Sequence, residues 1–307
     1  MQSQSDLLRG IDAFFDRHDC SNGLYLDVGT NRGVQLRKLY EPELFLAKNT
    51  RDQSIPQAML AGFMHEMRAT MQLMNESFGP TPRCGVCAIG VEPNPSHYDH
   101  LKQVTRNLRA MGYAAYVVFA AASTAAGTAQ LGNRDQSRFA GGLNSPSLGL
   151  AANILPSRGS TKEHTHAGAA KNATTVTVPT IDLAHLMRHL LRRLDRHRDS
   201  TLARPTSLPV VMKMDVEGVE YELLPHLLKA EGSPLCRVRH LIYEFHPENV
   251  GMNVSEGFAL EERFKTDVAA ACKGHHSLIR LDDEYGRFGY QPWPRLGTRF
   301  CRRREDL

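Results

Sequence analysis

Short, nearly continuous apolar runs alternate along this chain with longer stretches in which apolar residues recur every three or four positions. The runs are Leu24–Val28, Gly85–Glu92, Tyr113–Ala122, Pro209–Asp215 and Arg239–His246. Runs of this kind suit strands buried on both faces of a sheet. Between them, Tyr98, Leu101, Val104, Leu108 and Met111 form one helical stripe, and Val219, Leu223, Leu224 and Leu227 form another. Residues Asp6–Arg17 place Leu7, Leu8, Ile11, Phe14 and Phe15 on one helical face, with Asp6 as the expected cap. Strands alternating with helices predict an α/β fold on a doubly wound, mostly parallel sheet.

Other stretches depart from this alternation. Residues 50–82 read as a helical insertion whose face carries Met59, Met64, Met67, Met71 and Met74. Core packing accounts for that face; a thioether cap moulded to an apolar substrate is the alternative. Residues 132–174, rich in Gly, Ser, Asn and Ala, read as a long flexible loop. His164 and His166 inside it read as solvated rather than metal ligands. Val176–Val178 reads as a short strand, and Thr180–Leu183 as the start of a helix. That helix bears Arg188, Arg192, Arg193, Arg196 and Arg198, read as a solvated face like Arg302–Arg304. Ser96 with Asp99 reads as a capping pair, and Phe258–Lys273 as a helix stopped by Gly274. Ser277–Asp282, Arg287–Tyr290 and Thr298–Cys301 read as short strands, with a hairpin at Asp283–Gly286. Residues 1–23 form an N-terminal helical segment, and 1–307 read as one domain.

Composition narrows the class. With 41% hydrophobic and 23% charged residues, 307 residues can bury a sizeable core. A net charge of +4 is too mild to imply nucleic acid, and no run is long enough to span a bilayer. The N-terminus shows no signal-peptide pattern, so a cytoplasmic location is expected, and the sequons at Asn75, Asn172 and Asn253 read as chance. Six cysteines then read as reduced thiols; Cys84-x-x-Cys87 has no second pair to suggest zinc, and burial accounts for it.

The candidate chemistry sits at the ends of the strands. Asp27, Glu92, Asp215 and Glu244 close four separate runs. In doubly wound sheets, ligands lie beyond those carboxyl ends. Gly29 and Gly33 permit a sharp turn and close approach after the first strand. The turn lacks the Gly-x-Gly-x-x-Gly pattern of dinucleotide binders, and Asp27 would repel a pyrophosphate. An acid for an ammonium, glycines for approach and Glu92 for both ribose hydroxyls together describe S-adenosylmethionine.

With Leu26–Gly33, Val91–Pro95, Thr180–Leu183 and Met212–Glu220 in this order, the chain resembles the FkbM family of S-adenosylmethionine-dependent methyltransferases. The resemblance implies a Rossmann-like sheet of seven strands, the last antiparallel, and methyl transfer to a hydroxyl of a small molecule or sugar. It places Asp27, Gly29, Thr30, Asn31 and Gly33 around the methionine end of the cofactor, and Glu92 on the ribose. Pro93 and Asn94 would lie beside the adenosine, Ala121 and Ala122 near the adenine, and Asp215 at the methionine amine or the substrate. Glu92 follows Asp27 by 65 residues (92 − 27), far beyond the usual spacing of about twenty; the insertion fills that gap.

A hydroxyl acceptor must lose a proton, and Asp215, Glu244 and His246 are the catalytic candidates. Glu244 and His246, two apart, face one side of their strand. His246 reads as the base, or as a group oriented by the acids. Alternatively the three hold a divalent metal, although no metal site is assigned. Lys213 reads as paired with an acid and has no catalytic role. The expected partner is the small-molecule or sugar acceptor, with the oligomeric state open. A nicotinamide-dependent oxidoreductase and a non-catalytic scaffold are the rival readings.

Overall fold

The computed structural model describes residues 2–49, 57–133, 152–155, 175–199, 207–273, 277–280 and 301, with the side chains of 46–49, 57–66, 132–133, 152–155, 197–199 and 248 excepted. His164, His166, Asn172, Arg302–Arg304, the hairpin at Asp283–Gly286 and the strands expected over Arg287–Tyr290 and 298–300 lie outside the described residues. The side chains of Met59, Met64 and Arg198 do too.

The central sheet has six strands. They are β1 (Gly23–Val28), β2 (Val86–Val91), β3 (Ala114–Val118), β8 (Val210–Met214), β9 (His240–Tyr243) and β10 (Ser277–Arg280). Their order is β10-β9-β8-β1-β2-β3, and every pair is parallel. The count is therefore six rather than seven, with no antiparallel member among the described residues. The chain winds from β1 to β2 and β3 on one side, then returns to β8 on the other. That reversal makes the carboxyl end of β1 the switch point, where such sheets open a crevice for ligands.

Alternation within the strands sorts side chains between two apolar layers. Leu24, Leu26, Val28, Val210, Met212 and Met214 enter one layer, beside α1 (Gln4–Arg17) and α6 (Leu183–Asp199). Tyr25 and Val211 enter the other, beside α2 (Val34–Tyr40), α4 (Gln57–Phe78) and α5 (Tyr98–Ala110). Helix α1 buries Leu7, Ile11, Phe14 and Phe15, as its pattern predicts. Its cap is Ser3 rather than Asp6, which instead completes a reciprocal capping box. Met67, Leu73 and Met74 of α4 are buried, so the described half of the methionine face is core. Arg83 fastens this insertion by donating to the carbonyl of Leu39 and the side chain of Asn75.

The predicted third strand divides into β3 and β4 (Ala121–Ser123). Strand β4 joins β5 (Gly127–Asn133), β6 (Ala152–Leu155) and β7 (Thr175–Asp182) in a second sheet, ordered β4-β7-β5-β6. The long-loop expectation is corrected where β5 reaches into residues 132–174 and β6 lies within them: both form antiparallel ladders. The glycines and polar residues of β5 and the four-residue length of β6 leave little periodicity, which concealed them. Thr180–Asp182 ends β7 instead of opening a helix, and Asp182 caps α6 by accepting from the His185 N–H. Asn94, not Ser96, caps the short turn before α5. Helix α8 (Val254–Ala271) begins four residues earlier than predicted, at a capping box of Asn253 and Glu256, and Phe258 faces solvent. On α6, Arg193 turns back to pair with Asp12 and Asp16 of α1, while Arg192 and Arg196 are exposed.

All six cysteines are paired: Cys20–Cys87, Cys84–Cys301 and Cys236–Cys272. This overturns the reduced-thiol expectation. Cys84 and Cys87 do not pair with each other, because Cys87 enters the α1 layer and Cys84 packs against the opposite one. The expectation of a cytoplasmic location rests on the missing signal-peptide pattern, and three disulfides are unusual for that compartment. No helix among the described residues is long and apolar enough to cross a membrane.

Candidate active site

The turn after β1 is built by three positive-φ residues in five: Gly29 at 85°, Asn31 at 52° and Gly33 at 76°. Gly29 is compelled by space as well as by φ. A β-carbon there would meet the Asp215 carbonyl oxygen at 1.7 Å. The amides of Gly29 and Thr30 both donate to the Val91 carbonyl, at 3.0 and 3.1 Å, and the Thr30 hydroxyl donates to the Asp27 carbonyl at 2.7 Å. The turn is thus wedged between the ends of β2 and β8.

Two acid clusters flank it. On the β2 side, Glu92 is buried and accepts the Asn31 N–H at 2.7 Å on one oxygen and the Asn94 N–H at 2.8 Å on the other. A carboxylate oxygen carries two lone pairs, so each retains one for a further donor. His97, unremarked in the sequence, is buried with Nδ1 3.4 Å from Glu92 Oε1. Neither of its ring nitrogens makes a hydrogen bond among the described residues. The Asn94 side chain is spent on Ser96, and the Pro93 carbonyl accepts from the Tyr98 hydroxyl. Asp27 is fully buried at the end of β1, in register with Lys213 of β8 and Gly90 of β2. Ala122 is not brought to this cluster by any contact; it pairs with Ile181 in the second sheet and packs in the apolar core.

On the β8 side, Asp215, Glu244 and His246 converge as expected. His246 Nε2 lies 3.4 Å from Glu244 Oε1 and 3.8 Å from Asp215 Oδ1. Its Nδ1 lies 3.1 Å from Glu220 Oε1. Glu220, quoted above only as part of a motif, opens α7 (Glu220–Lys229) and is completely buried. It also accepts the N–H groups of Val216 and Gly218, so one carboxylate fixes both the turn after β8 and the imidazole. Lys213 donates to Asp215 Oδ2 at 2.9 Å, the acid pairing expected of it. Asp215 Oδ1 is buried without a hydrogen-bond partner.

Burial by itself would push the His246 imidazole down. Hydrogen bonds to Glu220 and Glu244, reinforced by the charges of Glu220 and Glu217, override it and hold the pKa up to about 11. His246 is then a cation at neutral pH and donates rather than accepts protons. Glu217 moves the other way from an ordinary carboxylate, raised by burial and partly offset by the His246 charge. The arrangement can hold a donor-rich nucleoside on one side of the β1 turn and draw a proton from a polar substrate on the other.

A six-stranded parallel sheet with helices on both faces, its switch point lying between strand-end acids, defines a Rossmann-like fold. The Methyltransferase FkbM domain model matches residues 79–266, more than half of the chain, and the chain belongs to that family. The matched span contains Glu92, Asp215, Glu220, Glu244 and His246, whereas the β1 turn precedes it. Comparison with curated proteins and with solved structures gives no match.

Proposed function

We propose that the chain transfers a methyl group from S-adenosylmethionine to a hydroxyl oxygen of a small molecule or sugar. The observation that carries this reading is Glu92, fixed by two backbone N–H groups beside the β1 turn, with lone pairs left for two ribose hydroxyls. Asp27, at the head of the same turn, offers charge to the methionine ammonium. Gly29 and Gly33 keep side chains out of the turn between them, and Thr30 and Asn31 shape its backbone.

When bound, the cofactor supplies a methyl carbon made electrophilic by its sulfonium. Held by Asp27, Gly29, Asn31, Gly33 and Glu92, it would give that methyl to the acceptor oxygen and leave as a neutral thioether, the carbon–sulfur electron pair remaining on sulfur. The acceptor's proton goes to a carboxylate of the β8 cluster, with Asp215 Oδ1 the best placed because it is buried and unbonded. His246, held as a cation, serves as a donor that orients Glu244 and the substrate rather than as the base. Holding the two reactants in line supplies much of the rate.

Calorimetry with S-adenosylhomocysteine tests the cofactor claim. One site per chain is expected, weakened about tenfold or more in Glu92→Ala, since hydrogen bonds to a charged group are worth roughly 1.5–3 kcal/mol. Absent binding, or binding undiminished in the variant, overturns it. The acceptor is found by transferring labelled methyl groups into a fractionated extract and identifying the product by mass.

A further inference from the structure

We propose that Asp215 Oδ1, Glu244 Oε1 and His246 Nε2 bind a divalent transition-metal ion. Three observations converge. The first is geometric: each of these residues offers a ligand atom, and the atoms lie within 4.8 Å of one another. Nε2 is 3.4 Å from the Glu244 oxygen and 3.8 Å from the Asp215 oxygen. With ligand bonds of about 2.1 Å, neighbouring ligands on one ion stand roughly 3.0–3.5 Å apart. The two pairs that Nε2 makes are therefore within a few tenths of an ångström of a coordination edge.

The second observation is that the supporting groups aim the ligand atoms inward. Glu220 takes the Nδ1 side of His246, so an ion would replace the proton that the ion-free imidazole carries on Nε2 toward Glu244. A carboxylate on the far nitrogen is the usual support of a metal-bound imidazole. Lys213 takes Asp215 Oδ2, leaving Oδ1 turned into the cluster, buried and without a hydrogen bond. Third, the charges are unbalanced. Four acids, Asp215, Glu217, Glu220 and Glu244, crowd around His246, with Lys213 bonded to Asp215, so the carboxylates outnumber these two cationic side chains. Burying such an excess of anions is costly unless a cation joins them.

The donor set selects the ion. Two carboxylates with one imidazole suit Mn²⁺ or Zn²⁺ better than Mg²⁺ or Ca²⁺, which prefer oxygen ligands throughout. Binding stands on this geometry alone. The use of the ion, to hold the acceptor hydroxyl and weaken its O–H bond, rests on the proposed methyl transfer; in the loaded site Asp215 Oδ1 is a ligand, and the proton passes to another carboxylate oxygen of the cluster.

The test is titration of MnCl₂ and ZnCl₂ into the chelator-stripped full chain, with S-adenosylhomocysteine binding measured on the same samples. One ion per chain is expected, with affinity falling at least about tenfold in Glu244→Gln and Asp215→Asn, and about 10–100-fold in Glu220→Gln. Pulsed electron paramagnetic resonance of the Mn²⁺-loaded wild type should show coupling to one imidazole nitrogen, a readout that needs no variant. No saturable site for either ion overturns the proposal. So does equal affinity in both ligand variants, or a Mn²⁺ spectrum without nitrogen coupling. Ion binding with these properties but no binding of S-adenosylhomocysteine supports the metal site and overturns the methyl-transfer reading instead.

Discussion

A β-carbon at Gly29 would stand 1.7 Å from the Asp215 carbonyl oxygen, on a backbone already at positive φ. Gly29→Ala must therefore part β1 from the β8 turn or leave the left-handed region. The expected cost is at least about 2–3 kcal/mol, with cofactor binding lost along with the turn. Urea denaturation monitored by circular dichroism checks this; a midpoint equal to wild type would show that the turn is not wedged. Glu220 is the second residue whose environment dictates a result. Its carboxylate satisfies two backbone N–H groups and one imidazole nitrogen while completely buried. Glu220→Gln keeps the shape but can accept through only one oxygen, leaving a buried N–H facing an amide. A loss of roughly 1–3 kcal/mol is expected in the same assay. Gly29 was legible as a turn glycine from its place after an apolar run. Glu220's role was not, because it depends on the imidazole of His246 returning from β9.

At the scale of elements, Asp182 joins three. It ends β7, caps α6 through the His185 N–H, and meets His226 of α7 at 3.2 Å. Burial alone would raise its pKa, yet the backbone hydrogen bond from His185 and the side chain of His226 bring it below the usual carboxylate value. A depressed folded pKa stabilises the native state above the unfolded value of about 3.9 and loses that contribution as pH falls through the lower folded value. Asp182→Asn retains a capping oxygen but not the charge. Its stability deficit should be constant above about pH 5 and close in the acid range below the unfolded carboxylate value. Parallel acid titrations of folding checks it, and a deficit that does not change with pH would refute the linkage. The elements themselves were largely written in the chain. Continuous apolar runs and periods of three to four residues place α1, β1, β2, α5, β8 and α7 because burial acts on each segment alone. Strands β5 and β6 escaped because β5 is polar with two glycines and β6 is only four residues long, so each gains its pairing from its neighbours rather than from its own pattern.

For the whole molecule, the disulfides matter most. Cys84–Cys301 spans 217 residues and ties the end of the chain to the segment before β2; Cys20–Cys87 and Cys236–Cys272 span 67 and 36. Closing long loops restricts the unfolded chain, and removing one such bond costs about 2–5 kcal/mol. Two expectations follow. The non-reduced protein should weigh less than its reduced form by six hydrogens, two for each of three bonds, and a full-mass protein as isolated would show free thiols. Cys84→Ser should lower the melting temperature, with no further loss on adding Cys301→Ser, since the two residues act as one bond.

The sequence by itself determined the main strands and helices of the central sheet, the acids closing four strands, and the glycines of the β1 turn. Each of these is a local consequence of burial period or backbone conformation. Only the tertiary structure decided which distant groups meet. It set Asn31 against Glu92 across 61 residues, closed His246 onto Glu220, and matched six cysteines into three bonds on both faces of the sheet. Such pairings follow from register and from the crossing of the chain at β1, and no segment read alone contains them.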